Sequence, residues 1–240
     1  MLTGRPQPGL SVARLVEHYP RLYHASAAGS WPSLQRHGLL PTTHLVETAE
    51  LPAERRHELL TRRRTATVEL DHPRYGRVVL RDQLPLRPEL LSPKLVGVTF
   101  EQWLGLLNER VFFWLHPRRL AGLLSARICR DRPFDVLTLD TASLVAAHRE
   151  RVRLSPINSG SALYPNAAVR GPGTFARIED YPWAERRRTR PVADAVAELA
   201  VIGGVPDLTE HVIAVDRYLG PALTGRLWPE GSLPADPAIG

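Results

Sequence analysis

Apolar and polar positions along this chain change period many times, and each change marks an element. Residues 12–18 repeat apolar positions at helical spacing and stop before Pro20, after which residues 22–26 read as a short, mostly buried strand. Leu34 begins a brief helical stretch that Gly38 terminates. Residues 42–64 predict two helical pieces divided near Pro52, where Pro52-Ala53-Glu54 is a good helix start. Residues 65–70 and 78–81 flank a turn at 72–76, which predicts a hairpin.

Further along, Thr99 followed by Gln102 predicts a capping box that opens a helix with Trp103, Leu106 and Leu107 inward. Strands are expected at 111–115, 135–140 and 151–154, with helices starting at Pro117 and covering 141–148, the second capped by Thr141. Residues 158–173, rich in Gly, Ser, Pro and Asn, predict a long loop. Further strands are expected over 196–201 and, as the last of them, over 211–215. The pattern lacks the regular βαβ alternation of a doubly wound fold, so the expected class is α+β. It forms a single domain over residues 1–219, followed by a Pro- and Gly-rich tail at 220–240.

Composition agrees with one domain, since 240 residues at 43% hydrophobic can bury one sizeable core. No apolar run approaches the ~18–20 residues needed to cross a bilayer, and the first twenty residues lack the apolar centre of a secretion signal. A cytoplasmic protein with no membrane partner is the expectation. Cys129 is the one cysteine, which excludes an internal disulfide and a multi-cysteine zinc site; it is expected as a packed thiol rather than a nucleophile. The nine His show no His-x-x-x-His or His-Glu-x-x-His spacing, so no metal is expected.

The formal charge is +6, and Lys94 is the single lysine among 31 basic residues. Guanidinium forks match phosphate oxygens, and arginines cluster at 62–64, 118–119 and 186–188. A GC-rich coding sequence, which the abundant Ala, Pro and Leu also suggest, would give the same arginine content without nucleic-acid binding.

Two distant segments each carry a polar group that a plain core strand does not need. One is Leu22-Tyr23-His24-Ala25-Ser26 and the other Val196-Ala197-Glu198-Leu199-Ala200-Val201. His24 and Glu198 are therefore candidates for one shared site. The alternatives are a core His satisfied by a neighbouring carbonyl and a solvated Glu on an edge strand.

The Tyr23-His24-Ala25-Ser26 strand, the short helix and Gly38-Leu39-Leu40 together resemble the opening of the ADP-ribosyltransferase superfamily. More particularly, they resemble a bacterial family of uncharacterised domains related to the DarT-type DNA ADP-ribosyltransferases. That family also shows, in this order, the motifs found here at Arg81–Gln83, Val111–Leu115, Ser155–Gly160 and Glu198–Asp207. Ser26 stands where the DarT-like motif has Thr, and Ser30 where it has Asn.

The resemblance implies a split β-sheet core with surrounding helices, NAD as substrate and mono-ADP-ribosyl transfer to a nucleic acid. It also implies a toxin or defence role with an antitoxin or hydrolase partner. Cleaving the nicotinamide glycosidic bond passes through an oxocarbenium-like centre, so the site needs a carboxylate near the ribose and an aromatic wall. Glu198 would polarise the ribose 2′-hydroxyl or activate the acceptor. Arg81 would meet the pyrophosphate or acceptor, although spacing places Arg63 and Arg64 equally well. His24 and Ser26 would bind the ribose. Phe113 would stack on nicotinamide with Phe112 and Trp114 as core, unless all three are core. Asn158 and Ser159 offer amide and hydroxyl groups to the cofactor, or else form an ordinary Asx turn. Two other readings remain: an RNA 2′-phosphotransferase-like enzyme, which needs a His and Arg cluster not found here, and a non-catalytic NAD- or nucleotide-binding domain.

Overall fold

The computed structural model describes residues 9–229, and a seven-stranded, wholly antiparallel sheet organises them. In chain order the strands are β1 (Arg21–Ala27), β2 (Val68–His72), β3 (Gly76–Leu80), β4 (Arg110–Trp114), β5 (Pro133–Asp140), β6 (Val152–Ser155), β7 (Glu198–Ile202), β8 (Val212–Leu219) and β9 (Ala222–Trp228). Strand order in the large sheet is β6-β7-β4-β1-β5-β8-β9, while β2 and β3 form the separate hairpin that the sequence predicts. The helices used below are α1 (Val12–His18), α2 (Trp31–His37), α3 (Thr42–Glu47), α4 (Ala53–Thr61), α5 (Pro88–Leu91), α6 (Phe100–Asn108), α7 (Pro117–Ser125), α8 (Thr141–His148), α9 (Trp183–Thr189) and α10 (Val192–Ala195). No described helix is long and apolar enough to cross a membrane.

The centre of the sheet is its weakest seam. β1 pairs with β5 along its whole length, from Arg21–Asp140 to Ala27–Phe134, but with β4 it shares the single register pair Tyr23–Trp114. The sheet therefore opens into two halves, β6-β7-β4 and β1-β5-β8-β9. Residues alternate between its faces. Leu22, Phe113, Leu137, Leu154 and Leu199 enter the main core on one side. Tyr23, Ala25, Phe134 and Val136 pack on the other against Leu120 and Leu124 of α7 and against Cys129, with Trp114 beside them.

Capping follows the sequence at α6: Thr99 Oγ1 accepts from Gln102 N at 3.1 Å, and Gln102 Oε1 accepts from Thr99 N at 2.8 Å. At α8 the capping side chain is Asp140 rather than Thr141, accepting from Ser143 N at 2.8 Å. Thr141 instead donates to Tyr19 O at 2.5 Å and ties α8 to the residue after α1.

The opening and closing motifs of the chain meet. Leu39 N donates to Val205 O at 2.9 Å and Val205 N to Leu39 O at 2.8 Å. Gly38 (φ +77) and Gly204 (φ +83) flank this contact, and a Cβ on either would come within 2.4 Å of a carbonyl oxygen of the other segment. Only glycine tolerates both that backbone and that approach. Asp135, fully buried on β5, accepts from Gly29 N at 2.9 Å and Trp31 N at 3.3 Å and pairs with Arg217 at 2.5 Å, so it fixes the turn between β1 and α2.

Three sequence expectations change. The strand expected over 196–201 begins two residues later, at Glu198, with α10 at 192–195 ahead of it. The strand at 211–215 runs on to Leu219 and is not the last. Residues 222–228, assigned to the tail, form β9 against β8; the rest of the expected tail, 230–240, lies outside the described residues.

Candidate functional site

Glu198 opens β7, an internal strand, in register with Trp114 on one side and Ser155 on the other. It is 4% exposed, so the solvated edge-strand alternative is wrong. Ser159 supplies two donors to one carboxylate oxygen: its N at 3.0 Å and its Oγ at 2.7 Å from Glu198 Oε2. Burial pushes the Glu198 carboxyl up to about 7, while the Ser159 hydrogen bonds and the charges of Arg119 and Arg170 pull the other way. A carboxyl that exchanges its proton near neutrality can serve as a general base or acid.

The loop that carries Ser159 is long, as expected, but it is pinned. Arg170, itself 4% exposed, donates from Nη2 to Asn158 O at 3.2 Å and to Ser161 O. It donates from Nη1 to Ala168 O at 3.3 Å. The backbone of Arg170 is paired on both sides, to Lys94 O and from Val96 N, each at 2.8 Å. Ser159 thus spends its hydroxyl on Glu198, while the Asn158 side chain lies in an exposed residue next to it.

His24 lies on the other side of the sheet. Its neighbour Tyr23 is in register with Trp114 and hence on the Glu198 face, and alternation turns His24 away. The imidazole packs against Phe113, ring centroids 5.7 Å apart, and its Nδ1 lies 2.8 Å from Phe112 O across the seam. Burial lowers His24 to about 4, so the ring is neutral; Nδ1–H donates to the carbonyl and Nε2 keeps its lone pair. The expectation that His24 and Glu198 line one cleft is therefore corrected: the register divides them. Ser26, 8% exposed, faces the same way as His24.

Phe113 is 1% exposed and belongs to the main core, which corrects its assignment to a pocket wall. The aromatic beside Glu198 is Trp114, half-buried and directly opposite it in register. Sequence reasoning chose the wrong parity because three consecutive aromatics give no alternation to read.

Arg81 shares the Glu198 side of the sheet. Its guanidinium lies 5.1 Å from the Phe134 ring centroid, with Nη1 3.3 Å from Ala25 O and Nη2 3.9 Å from Cys129 Sγ. Among the described residues no carboxylate forms an ion pair with it. Arg63 and Arg64 are spoken for: Arg63 donates to Gln83 O and Leu84 O, and Arg64 to Leu59 O, Arg81 O and Asn108 Oδ1. Spacing left these three arginines equal; among the described residues none of them forms an ion pair, and Arg81 differs in laying its guanidinium over the Phe134 ring. Burial pushes the neighbouring Cys129 thiol up, as a packed thiol requires.

The arginine runs are partly structural. Arg186 donates to Pro156 O at 2.9 Å, and Arg187 lies over the Trp183 ring at 5.9 Å. Arg62, Arg118, Arg188 and Arg190 are exposed and make no side-chain hydrogen bond among the described residues.

One group of possible metal ligands escaped the His-only spacing test. His148, Asp207 and His211 bring ligand atoms within 4.8 Å of one another. Arg151 Nη2 donates to His148 Nδ1 at 2.5 Å, which places the His148 proton on Nε2, where it donates to Asp207 Oδ1 at 2.7 Å. A metal in this group would need a lone pair on Nε2 in place of that proton, with Nδ1 protonated instead, and the Arg151 donor occupies Nδ1. The group is a hydrogen-bonded pin: Arg151 also holds Ile202 O at 3.1 Å and Gly204 O at 2.8 Å, fixing the loop after β7.

The chain belongs to a family described as a family of unknown function, DUF7002, whose model matches residues 20–212. No curated protein and no solved structure matches it.

Proposed function

We propose that this DUF7002 chain is an NAD-dependent mono-ADP-ribosyltransferase that modifies nucleic acid, with Glu198 as its catalytic carboxylate. The observation that carries the reading is Glu198 itself: buried, exchanging its proton near neutrality, and facing a half-buried Trp114. The seam between β1 and β4 supports the split-sheet architecture that the resemblance implies, and the meeting of the Gly38 and Gly204 segments brings the first and last motifs together.

In this reading the C1′–nitrogen bond of NAD breaks, and nicotinamide leaves with the electron pair. A nucleophilic atom of the acceptor bonds to C1′ and gives its proton to Glu198 Oε1, the oxygen that Ser159 does not occupy. The ionised carboxylate also stabilises the positive charge developing on the ribose. Trp114 supplies the aromatic wall. Arg81 meets the diphosphate on the same side of the sheet. Asn158, at the rim of the loop, remains available to a polar group of the substrate. His24 braces the seam through Phe112 O from the opposite side of the sheet and takes no part at this site.

The test is incubation with NAD labelled in its adenylate portion, together with separate DNA, RNA and protein pools. Label in DNA or RNA supports the reading. Label in protein alone moves the acceptor class, and retained label on the chain without turnover favours a non-catalytic NAD-binding domain.

A further inference from the structure

Arg170 is a buried guanidinium without a carboxylate bonded to it, and that needs a reason. It sits at 4% exposure, and its Nε has no hydrogen-bond partner among the described residues. The acid whose charge acts on it is Glu198. Taking a guanidinium out of water is costly unless its donors and its charge are used. Its donors go to backbone carbonyls, and two of them, Asn158 O and Ser161 O, bracket Ser159.

We propose that Arg170 is a positioning residue: by gripping the carbonyls on both sides of Ser159 it aims that residue's N–H and O–H at Glu198 Oε2, reserving Oε1 for proton exchange. Resting on the catalytic reading of Glu198, it adds the element that determines which oxygen works. The planar guanidinium holds those two carbonyls from Nη2 while Nη1 takes Ala168 O, a fixed three-carbonyl grip that an ammonium on a flexible stem does not reproduce. With both Ser159 donors on Oε2, a proton bound by Glu198 resides on Oε1, because Oε2 already accepts two hydrogen bonds. Without the grip, the loop backbone at 158–161 is free to turn Ser159 away. The carboxylate then loses the two donors that favour its ionised form.

The full chain carrying carbon-13 at glutamate carboxyls provides the test, with Glu198 identified by the signal that disappears in Glu198→Gln. The titration midpoint is about 7 in the parent. Ser159→Ala should raise it by about one pH unit, and Ser159→Thr should leave it in place. Arg170→Lys should raise it at least as far as Ser159→Ala, because the N–H is turned away with the hydroxyl although the positive charge is kept, and the double variant should titrate no higher than Arg170→Lys alone. Arg170→Gln serves if the Lys variant does not fold.

A parent midpoint retained in Arg170→Lys, or additive effects in the double variant, would overturn the proposal. Because the titration is read without NAD, its failure differs from failure of the catalytic reading. If NAD is never consumed, Glu198 loses its assigned reaction while the clamp stands. Where turnover is measured, the acidic limb of the kcat profile should move with the midpoint at unchanged KM for NAD.

Discussion

His24 and Glu198, the two polar groups that interrupt otherwise apolar strands, lie on opposite sides of one sheet. Tyr23, Trp114 and Glu198 share a face through register, and His24 turns to the other, where its ring meets Phe113. The two groups also carry opposite electrostatic consequences of burial. Glu198 is driven toward its neutral acid and His24 toward its neutral base.

That opposition predicts the pH dependence of stability. Glu198 binds its proton up to about 7 in the fold against 4.5 ordinarily, so its contribution is full below pH 4.5 and is lost as pH rises through 7. His24 is lowered from 6.5 to about 4, so its contribution is full above pH 6.5 and is lost as pH falls through 4. Relative to the parent, Glu198→Gln should gain on the order of 3 kcal/mol between pH 4.5 and 8. His24→Gln should gain a similar amount as pH falls from 6.5 to 4, apart from a constant offset for the missing Phe112 hydrogen bond. Urea unfolding of the three proteins across this range measures both slopes, and parallel curves would contradict the assignment.

Adjacent aromatics on β4 should behave differently. Phe113→Ala removes a fully buried ring and should cost about 3–5 kcal/mol. Trp114→Ala, at a half-buried position, should cost roughly 1–2 kcal/mol and raise the KM for NAD roughly tenfold. Denaturant midpoints and initial rates separate the two effects. Equal loss of stability with no change in KM would return Trp114 to a purely packing role.

Much of the fold was legible because local chemistry determines it. The Thr99–Gln102 box, the 72–76 turn and the strands around His24 and Val136 follow from neighbouring residues. Strand β9 was not, since Gly220 and Pro221 just before it and Gly225 within it read as turn residues, and the pairing with β8 stabilises it. The candidate site was legible in its members but not in its arrangement. Glu198, Arg81 and Ser159 are recognisable as unusual groups, yet nothing in the sequence between them signals that Ser159, 39 positions before Glu198, donates to it twice. Arg170 was invisible among so many arginines, because only its burial distinguishes it.

Nucleic-acid binding should depend on the arginines that the fold leaves free. Arg188→Glu with Arg190→Glu should weaken oligonucleotide binding and reduce the slope of log K against log salt by about 2. Arg63→Gln and Arg64→Gln, which remove braces to carbonyls, should lower stability instead. Binding measured between 50 and 200 mM salt checks the slope, which falls by roughly one for each phosphate that is no longer neutralised. A response that is flat in the parent would point to a protein or small-molecule acceptor.

The catalytic assignment of Glu198 meets its most direct test in nicotinamide release from NAD, followed by chromatography for the parent and for Glu198→Gln from pH 5 to 9. The parent should release nicotinamide with an acidic limb near pH 7 in the presence of its acceptor. Glu198→Gln should still bind NAD and should release nicotinamide at least about a thousandfold more slowly, the loss expected when a charge aimed at the transition state is removed. Equal rates from the two proteins, or no release by the parent with any acceptor pool, would contradict the account.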